Sequence, residues 1–184
     1  MESGDKLICF GDSITNLYAT ELKQKLQAKA YELDLSYINA GIGGETTRDG
    51  LARLPGLLNE GPDYVVVSFG MNDRLQDLDK NVPLAEFRDN LKKIVESFVS
   101  INARVILLTI NPVRSQRSNE QIDLYNQAIY DVWRDTKVRL VDVNSHWRTK
   151  FRDVSRGLRD DVHPNKDGIN LICEYVLRML SRHS

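Results

Sequence analysis

The fold of this chain is most clearly indicated by one segment, Tyr64-Val65-Val66-Val67-Ser68-Phe69-Gly70-Met71-Asn72-Asp73. Its first six residues are an almost continuous run of aliphatic and aromatic side chains, which is typical of a central parallel strand covered on both faces. A glycine and the polar residues Asn72 and Asp73 follow the run at once. Because ligands of open parallel sheets bind at the carboxyl ends of the strands, this junction also indicates where a site would lie.

Four other apolar runs lie on either side of this segment, and amphipathic segments separate them. The runs cover residues 7–10, 35–39, 105–110 and 138–143. A helical stripe with a period of 3.6 residues begins at Pro83, and a second covers residues 118–136 with Ser118 as its expected N-cap. A third runs from about Lys166 to Arg182, with Asn165 as its expected N-cap.

This alternation of strands and helices predicts the α/β class, with one domain over residues 1–184. A chain of 184 residues is long enough for one substantial core. Since crossovers between parallel strands are right-handed, we expect a three-layer α/β/α sandwich around a five-stranded parallel sheet of the flavodoxin-like type.

Composition excludes several classes of function. The formal net charge of −1 gives no field that would attract nucleic acid, and no apolar run approaches the roughly 20 residues of a membrane helix. Cys9 and Cys173 are far apart and predict buried thiols rather than a disulfide or a metal site. The start of the chain is too polar for a signal peptide. We therefore expect a cytoplasmic protein with no nucleic-acid partner and no stable membrane insertion, and the oligomeric state stays open.

A serine and a histidine stand where a nucleophile and its base would be needed. Ser13 follows the first apolar run in a turn that also suits a helix cap, and a serine hydroxyl needs a neighbouring base to become nucleophilic. Of the three histidines, His183 lies in the tail and His146 suits a structural role at a helix start. His163 lies in a polar loop three residues after Asp160, so that one loop can set a carboxylate against one imidazole nitrogen while the other faces the serine.

Hydrogen-bond donors for an oxyanion follow the second and third apolar runs. Gly43 and Gly44 can turn a backbone N–H towards the site, and Asn72 can supply a side-chain amide. Taken singly, the glycines also suit a turn with positive φ, and Asn72 also suits a helix cap.

Together and in this order, these segments resemble the signature blocks of the SGNH, or GDSL, hydrolase superfamily. The blocks are 11–14, 39–44, 70–73 and 160–164, and the resemblance covers about residues 6–180. Residues 39–58 are similar to the bacterial thioesterase/lysophospholipase branch and also to the acetylhydrolase and carbohydrate-esterase branches.

The resemblance implies a role for each residue and requires no metal or organic cofactor. Ser13 would be the nucleophile, His163 the general base and Asp160 its acid, while the backbone of Ser13, the backbone of Gly44 and the side chain of Asn72 would form the oxyanion hole. Asp161 stands where the family usually has glycine, which leaves a second candidate for the acid, although spacing favours Asp160. The family's more common leucine after the serine is replaced conservatively by isoleucine.

Substrate contacts are expected in the loops beyond the second, third and fourth strands. The candidates are Arg48, Arg74, Leu75, Pro112 and Arg114. Arginines on the rim would favour an anionic leaving group. That they simply solubilise exposed loops is an alternative of at least equal weight. All these loops are short, which predicts an open, shallow site for small or short-chain acyl groups.

The leading hypothesis is a serine esterase that hydrolyses small acyl esters or thioesters through an acyl-enzyme. A carbohydrate O-deacetylase or a lysophospholipase on the same scaffold is the alternative among enzymes. A non-catalytic flavodoxin-like binding module gives no reason for a serine, an asparagine and a histidine at one edge of the sheet. A receiver-type signalling domain would need a lysine at a later strand end, where Thr109-Ile110-Asn111 stands.

Overall fold

The structure is a computed structural model that describes residues 1, 4–29, 35–75 and 80–181. Within these residues five strands and six α-helices alternate along the chain. The strands are β1 (Lys6–Gly11), β2 (Ser36–Gly41), β3 (Tyr64–Ser68), β4 (Arg104–Leu108) and β5 (Arg139–Val141). The α-helices are α1 (Ser13–Lys29), α2 (Thr47–Asn59), α3 (Leu84–Ser100), α4 (Gln116–Thr136), α5 (Val143–Lys150) and α6 (Lys166–Ser181), and a 3-10 helix covers Val154–Gly157.

All strand pairs are parallel, and the order across the sheet is β2-β1-β3-β4-β5. This is the order of the flavodoxin-like doubly wound sheet, so the predicted class and topology are confirmed. The order changes direction at β1, which places the ends of β1, β2 and β3 side by side. That one domain spans residues 1–184 stays a prediction.

Alternate residues of each strand face opposite layers of helices, which gives the sheet two cores. One core joins strand residues to α2, α3 and α4, and the other joins their neighbours to α1, α5 and α6. The first contains Ile8, Phe10, Val65, Val67, Val105 and Leu107, and the second contains Leu7, Cys9, Tyr64, Val66, Ile106 and Leu108. Both faces of the central strands are therefore buried, as the continuous apolar run at 64–69 predicts.

Helix starts agree with the sequence at one place and differ at another. Asn165 caps α6 as predicted, because its Oδ1 accepts the N–H groups of Asp167 at 2.9 Å and Gly168 at 3.1 Å. The prediction of Ser118 as the N-cap of α4 is wrong. The cap is Ser115, whose Oγ accepts the N–H of Ser118 at 3.3 Å, so α4 begins one turn earlier. Arg182, the predicted end of the last helix, lies outside the described residues.

No helix in the described ranges combines the length and the apolar character that a membrane crossing would require.

Candidate active site

Ser13 is the first residue of α1, directly beyond the end of β1. Asp12 holds this helix start, because its Oδ1 accepts the N–H of Ile14 at 2.9 Å and its backbone carbonyl accepts the N–H of Asn16 at 3.1 Å. The expected cap is therefore present, and it leaves the Ser13 hydroxyl free to face the edge of the sheet.

A continuous chain of polar contacts joins three of the predicted residues. Ser13 Oγ lies 3.2 Å from His163 Nε2, although the two residues are 150 positions apart. On the other side of the ring, His163 Nδ1 lies 2.9 Å from Asp160 Oδ2 and 3.1 Å from its Oδ1. Hydroxyl, imidazole and carboxylate thus stand in the order that activates a serine nucleophile.

The backbone of the histidine loop supports the Asp160 carboxylate. Its Oδ1 accepts the N–H of His163 at 2.7 Å and the N–H of Val162 at 2.9 Å. The bond from the His163 N–H above all, opposed by a smaller desolvation effect, holds the pKa of Asp160 well below its usual range. The side chain is consequently an anion at neutral pH, although 49% of it is exposed.

The neighbouring Asp161 has a different environment. Its side chain is 82% exposed, and its Oδ1 lies 3.1 Å from Arg114 Nε. The Asp161 carbonyl also accepts the backbone N–H of Arg114 at 3.0 Å, so the loop after β4 is attached to the histidine loop at two points. The structure thus brings Asp160, and not Asp161, to the imidazole.

The glycine turn after β2 lies beside the serine. A Cβ added to Gly43 would be 3.8 Å from the Cβ of Ser13, and Gly44 has a φ of +79°, a conformation that side chains disfavour. The Gly44 carbonyl accepts a hydrogen bond of 2.7 Å from Lys80 Nζ. Lys80 was not among the residues singled out in the sequence, because a lysine in a polar loop carries no signal of a long-range contact.

Asn72 connects the third block to the same turn. Its Nδ2 donates to the carbonyl of Glu45 at 2.8 Å, which uses one of the two N–H bonds of the amide. The next residue, Asp73, is fully buried and accepts from the backbone N–H and the hydroxyl of Thr47 at 2.9 and 2.5 Å. Burial raises the pKa of Asp73, and these bonds fix the start of α2 against the end of β3.

The predicted substrate-binding residues occupy several kinds of environment. Arg48 makes a two-point ion pair with Glu86, at 2.6 and 2.7 Å, and Arg114 pairs with Asp161 as described above. The expectation that Arg74 lies on the rim is wrong, because the residue is 4% exposed and its Nη2 contacts the sulfur of Met71. Burial lowers the pKa of Arg74.

Pro112 and Leu75 are also not fully exposed. Pro112 is buried, and its carbonyl accepts a bond from Asn111 Nδ2 at 3.0 Å, so its role as a substrate contact stays a prediction. Leu75 is half-buried, and its N–H closes a turn on the carbonyl of Asn72 at 3.1 Å. Leu75 therefore stays a candidate at the edge of the third block.

The other histidines do not join this arrangement in the described structure. His146 stacks on the ring of Tyr175, with ring centroids 3.5 Å apart. His183 lies outside the described residues. Among the residues that the structure describes, no cluster of three or more His, Cys, Asp or Glu side chains is arranged to hold a metal ion.

A small cavity lies under the start of α1, next to Asp12. Its volume is about 10 Å³, and its lining includes Asp12, Tyr18, Thr109 and Asn111. Burial raises the pKa of Asp12 to about 7, so this carboxyl group is costly to ionise inside the fold.

Comparisons with known proteins agree with this geometry. The sequence model of the GDSL-like lipase/acylhydrolase family matches residues 9–170. The chain is 27% identical to an arylesterase of Vibrio mimicus over 99% of this chain and 91% of the relative. It is also 27% identical to the thioesterase 1/protease 1/lysophospholipase L1 of Escherichia coli, over 97% of this chain and 84% of the relative.

A solved structure is similar over almost the whole length. The crystal structure of an acetylxylan esterase from Geobacillus stearothermophilus superposes with a TM-score of 0.86 and 25% identity, covering 99% of this chain and 96% of the other. The family match spans well over half of the chain and includes Ser13, Gly44, Asn72 and His163. The chain therefore belongs to the GDSL-like lipase/acylhydrolase family and is a serine hydrolase that acts on ester bonds.

Proposed function

We propose that Ser13 is the nucleophile, His163 the general base and Asp160 the residue that orients it, in an esterase for small, uncharged acyl groups. The observation that carries this proposal is the uninterrupted path from Ser13 Oγ through both imidazole nitrogens to the Asp160 carboxylate, at 3.2 and 2.9 Å. Both distances are within the reach of proton transfer and of tautomer control.

Acylation would begin when His163 Nε2 takes the proton of the Ser13 hydroxyl. Oγ then forms a bond to the carbonyl carbon of the ester, and the electron pair of the C=O bond moves to oxygen. When the tetrahedral intermediate collapses, the bond to the alcohol or thiol breaks and the leaving group receives the proton from Nε2. Asp160 stabilises the imidazolium that exists between these two steps, which its ionised state allows.

Deacylation would repeat the sequence with water. His163 takes one proton of a water molecule, whose oxygen attacks the acyl carbon, and the Ser13 Oγ then leaves with that proton. The free acid departs and the enzyme returns to its initial state. No step calls for a metal or an organic cofactor.

Three donors would face the developing oxyanion. The N–H of Ser13 lies at the start of α1, where the helix dipole is positive. The N–H of Gly44 lies in the turn beside Ser13, and the second N–H of the Asn72 amide remains after the bond to Glu45. One such donor contributes about 3 to 4 kcal/mol to the transition state in acyl transfer.

The pairing of two arginines near the site favours uncharged substrates. Arg48 and Arg114 were candidates to bind an anionic leaving group, but carboxylates already neutralise both. Ile42, next to the glycine turn, exposes 45% of its surface, and His163 exposes 31% of its side chain. A partly exposed triad near an exposed apolar side chain supports short acyl chains over long ones.

Three further substrate classes have specific support. Similarity to the acetylxylan esterase supports an acetylated sugar, and similarity to the Escherichia coli enzyme supports a thioester or a lysophospholipid. Acetylated xylose, acetyl-coenzyme A and a lysophospholipid, offered to the same preparation, would separate these classes by kcat/KM.

The deciding experiment compares the wild type with Ser13→Ala on p-nitrophenyl acetate, butyrate and octanoate. Loss of the nucleophile is expected to lower kcat on the order of 10⁶-fold. The control is Ser97→Ala, since the Ser97 hydroxyl bonds to the carbonyl of Lys93 in its own helix. Full activity in Ser13→Ala would overturn the assignment of the nucleophile, and faster turnover of octanoate than of acetate would overturn the short-chain preference.

We also propose a cytoplasmic location, which its buried free thiols support. Cys9 and Cys173 are both buried and unbridged, and burial raises the pKa of each thiol to about 12. Subcellular fractionation of the native source with an antibody to the chain tests this placement, and recovery outside the cytoplasm would contradict it.

A further inference from the structure

Lys80 reaches the glycine turn from a different part of the chain. Its Nζ donates to the carbonyl oxygen of Gly44 at 2.7 Å, across 36 positions of sequence. A hydrogen bond from an ammonium group is short and about twice as strong as one between neutral groups. A Cβ added to Gly44 would lie 3.0 Å from the same Nζ, so the ammonium occupies the face of Gly44 where a side chain would stand.

The segment that carries Lys80 is anchored on its carboxyl side. The carbonyl of Asn81 accepts from Arg48 Nη1 at 3.1 Å, and the N–H of Val82 donates to the carbonyl of Asp73 at 2.9 Å. The hydroxyl of Tyr125 donates to the carbonyl of Val82 at 2.6 Å. Because the backbone next to Lys80 is held in this way, the contact with Gly44 costs less conformational entropy than a contact from a free chain end.

The opposite side of the turn is held by other groups. Ile42 donates its N–H to the carbonyl of Gly11 at 3.0 Å, and Asn72 donates to the carbonyl of Glu45 at 2.8 Å. The Glu45 side chain is paired with Arg53. Contacts thus fix the residues on both sides of Gly44, and Lys80 is the side chain that reaches the Gly44 carbonyl itself.

The charge of Lys80 contacts a different kind of group from the charges of three arginines. Arg48, Arg53 and Arg114 each face a carboxylate. The Lys80 ammonium faces a carbonyl instead, and its charge also acts on the carboxylate of Asp49. Burial alone would raise the pKa of Asp49, but hydrogen bonds from Thr46 and the charge of Lys80 lower it. Asp49 is itself engaged in capping α2 through Thr46.

We propose that Lys80 is a positioning residue for the oxyanion hole, which fixes the Gly44 backbone and adds a positive charge beside it. The inference rests on the proposed role of Gly44 as an oxyanion donor. The carbonyl that Lys80 holds lies in the peptide after the Gly44 N–H, so the bond limits rotation about the Gly44 Cα and helps to keep that N–H oriented before the reaction. A nearby cation favours the same negative charge. Lys80 therefore acts on the transition state through Gly44 and is not expected to contact the bound ester.

Three variants test the proposal with p-nitrophenyl acetate. Lys80→Met removes the donor and the charge at similar length, Lys80→Arg keeps both, and Lys150→Met is the control for loss of an exposed lysine elsewhere. We expect about a 10-fold lower kcat for Lys80→Met with KM within twofold, recovery to within threefold of wild type for Lys80→Arg, and no change for the control. Added salt is expected to slow the wild type and to leave Lys80→Met unaffected.

A trifluoromethyl ketone provides a second measurement that does not depend on turnover. Ser13 Oγ adds to its carbonyl carbon, His163 takes the serine proton, and the ketone oxygen becomes an anion in the hole. The inhibition constant is expected to weaken about 10-fold in Lys80→Met, in parallel with kcat. A kcat and inhibition constant within twofold of wild type overturn the proposal, as does an effect on KM alone or an Arg variant as impaired as the Met variant.

Failure of this inference is distinguishable from failure of the proposed function. If Ser13→Ala is inactive while Lys80→Met equals the wild type, only the role of Lys80 is wrong. If Ser13→Ala retains activity, the assignment of the whole site is wrong and the Lys80 proposal falls with it.

Discussion

Replacing Asp160 by asparagine tests the assignment of the acid with little change of shape. Asparagine can keep its Oδ1 on the N–H groups of Val162 and His163, which bind Asp160 at 2.9 and 2.7 Å. Its Nδ2 would then replace the oxygen that lies 2.9 Å from His163 Nδ1. Because Nδ2 is a donor, the imidazole must accept at Nδ1 and carry its proton on Nε2, where it cannot take the proton of Ser13.

The size of the loss depends on how well water can correct this tautomer. The same substitution in a buried serine-protease triad costs about 10⁴ in kcat. Here 49% of the Asp160 side chain is exposed, so water can compete with the asparagine amide for the imidazole. We therefore expect a loss of about 10³, which corresponds to about 4 kcal/mol of transition-state stabilisation. KM should change little, since Asp160 lies behind the imidazole and away from the substrate.

Asp161→Asn is the matched control, because it makes the same change of charge one residue further along. The ion pair between Asp161 and Arg114 is exposed, and such pairs contribute at most about 1 kcal/mol. We expect kcat within threefold of wild type, measured with p-nitrophenyl acetate after both variants are shown to be folded. Equal losses in the two variants, or a loss below tenfold in Asp160→Asn, would refute the reasoning.

Two further predictions concern stability. The pKa of Asp12 is about 7 in the folded state and about 3.9 in the unfolded state. Because the unfolded chain ionises Asp12 first, the contribution of Asp12 to the free energy of unfolding is fully present below pH 4 and is lost as the pH rises to 7. Asp12→Asn keeps an acceptor for Ile14 and cannot ionise, so its gain in free energy of unfolding over the wild type should grow from pH 4 to 7.5, towards roughly 2 to 4 kcal/mol. Urea unfolding at both pH values measures this gain, and a gain independent of pH contradicts the prediction. Gly168→Ala should lower the free energy of unfolding in urea by about 3 kcal/mol, because the added methyl would overlap the ring of Trp147. The control is Gly56→Ala, which has open space around the added methyl and should be neutral or slightly stabilising. Equal effects of the two substitutions would show that packing at Gly168 is not limiting.

The sheet could be predicted from sequence because central parallel strands leave a strong local pattern. The run predicted at 64–69 became β3, Tyr64–Ser68, and the run at 105–110 became β4, Arg104–Leu108. The fifth run was less well predicted, since it extended to residue 143 whereas β5 ends at Val141 and α5 begins at Val143. A helix as short as α5 buries few residues and shows no clear 3.6-residue stripe.

The candidate site was predictable for a topological reason. In a doubly wound sheet the segments after β1, β2 and β3 must meet at one edge, so polar residues that follow these strands are brought together whatever their separation in sequence. The glycine turn after β2 therefore lies beside Ser13, and the loop before α6 adds His163 to the same edge, 150 positions away in sequence. The partners of polar side chains were not predictable in this way, because an ion pair such as Arg48 with Glu86 leaves no periodic signal.

The sequence left the roles of Arg114 and Asp161 open, and one contact in the structure explains both residues. The sequence offered Arg114 as a ligand for an anionic substrate and Asp161 as a second acid for His163. In the structure the two side chains pair at 3.1 Å, and the Asp161 carbonyl accepts the Arg114 N–H at 3.0 Å. An aspartate engaged by arginine is not available to the imidazole, and an arginine engaged by aspartate has less attraction for an anion. The departure from glycine at position 161 therefore gives the histidine loop a contact with the loop after β4, and Asp160 is the carboxylate that lies at the imidazole.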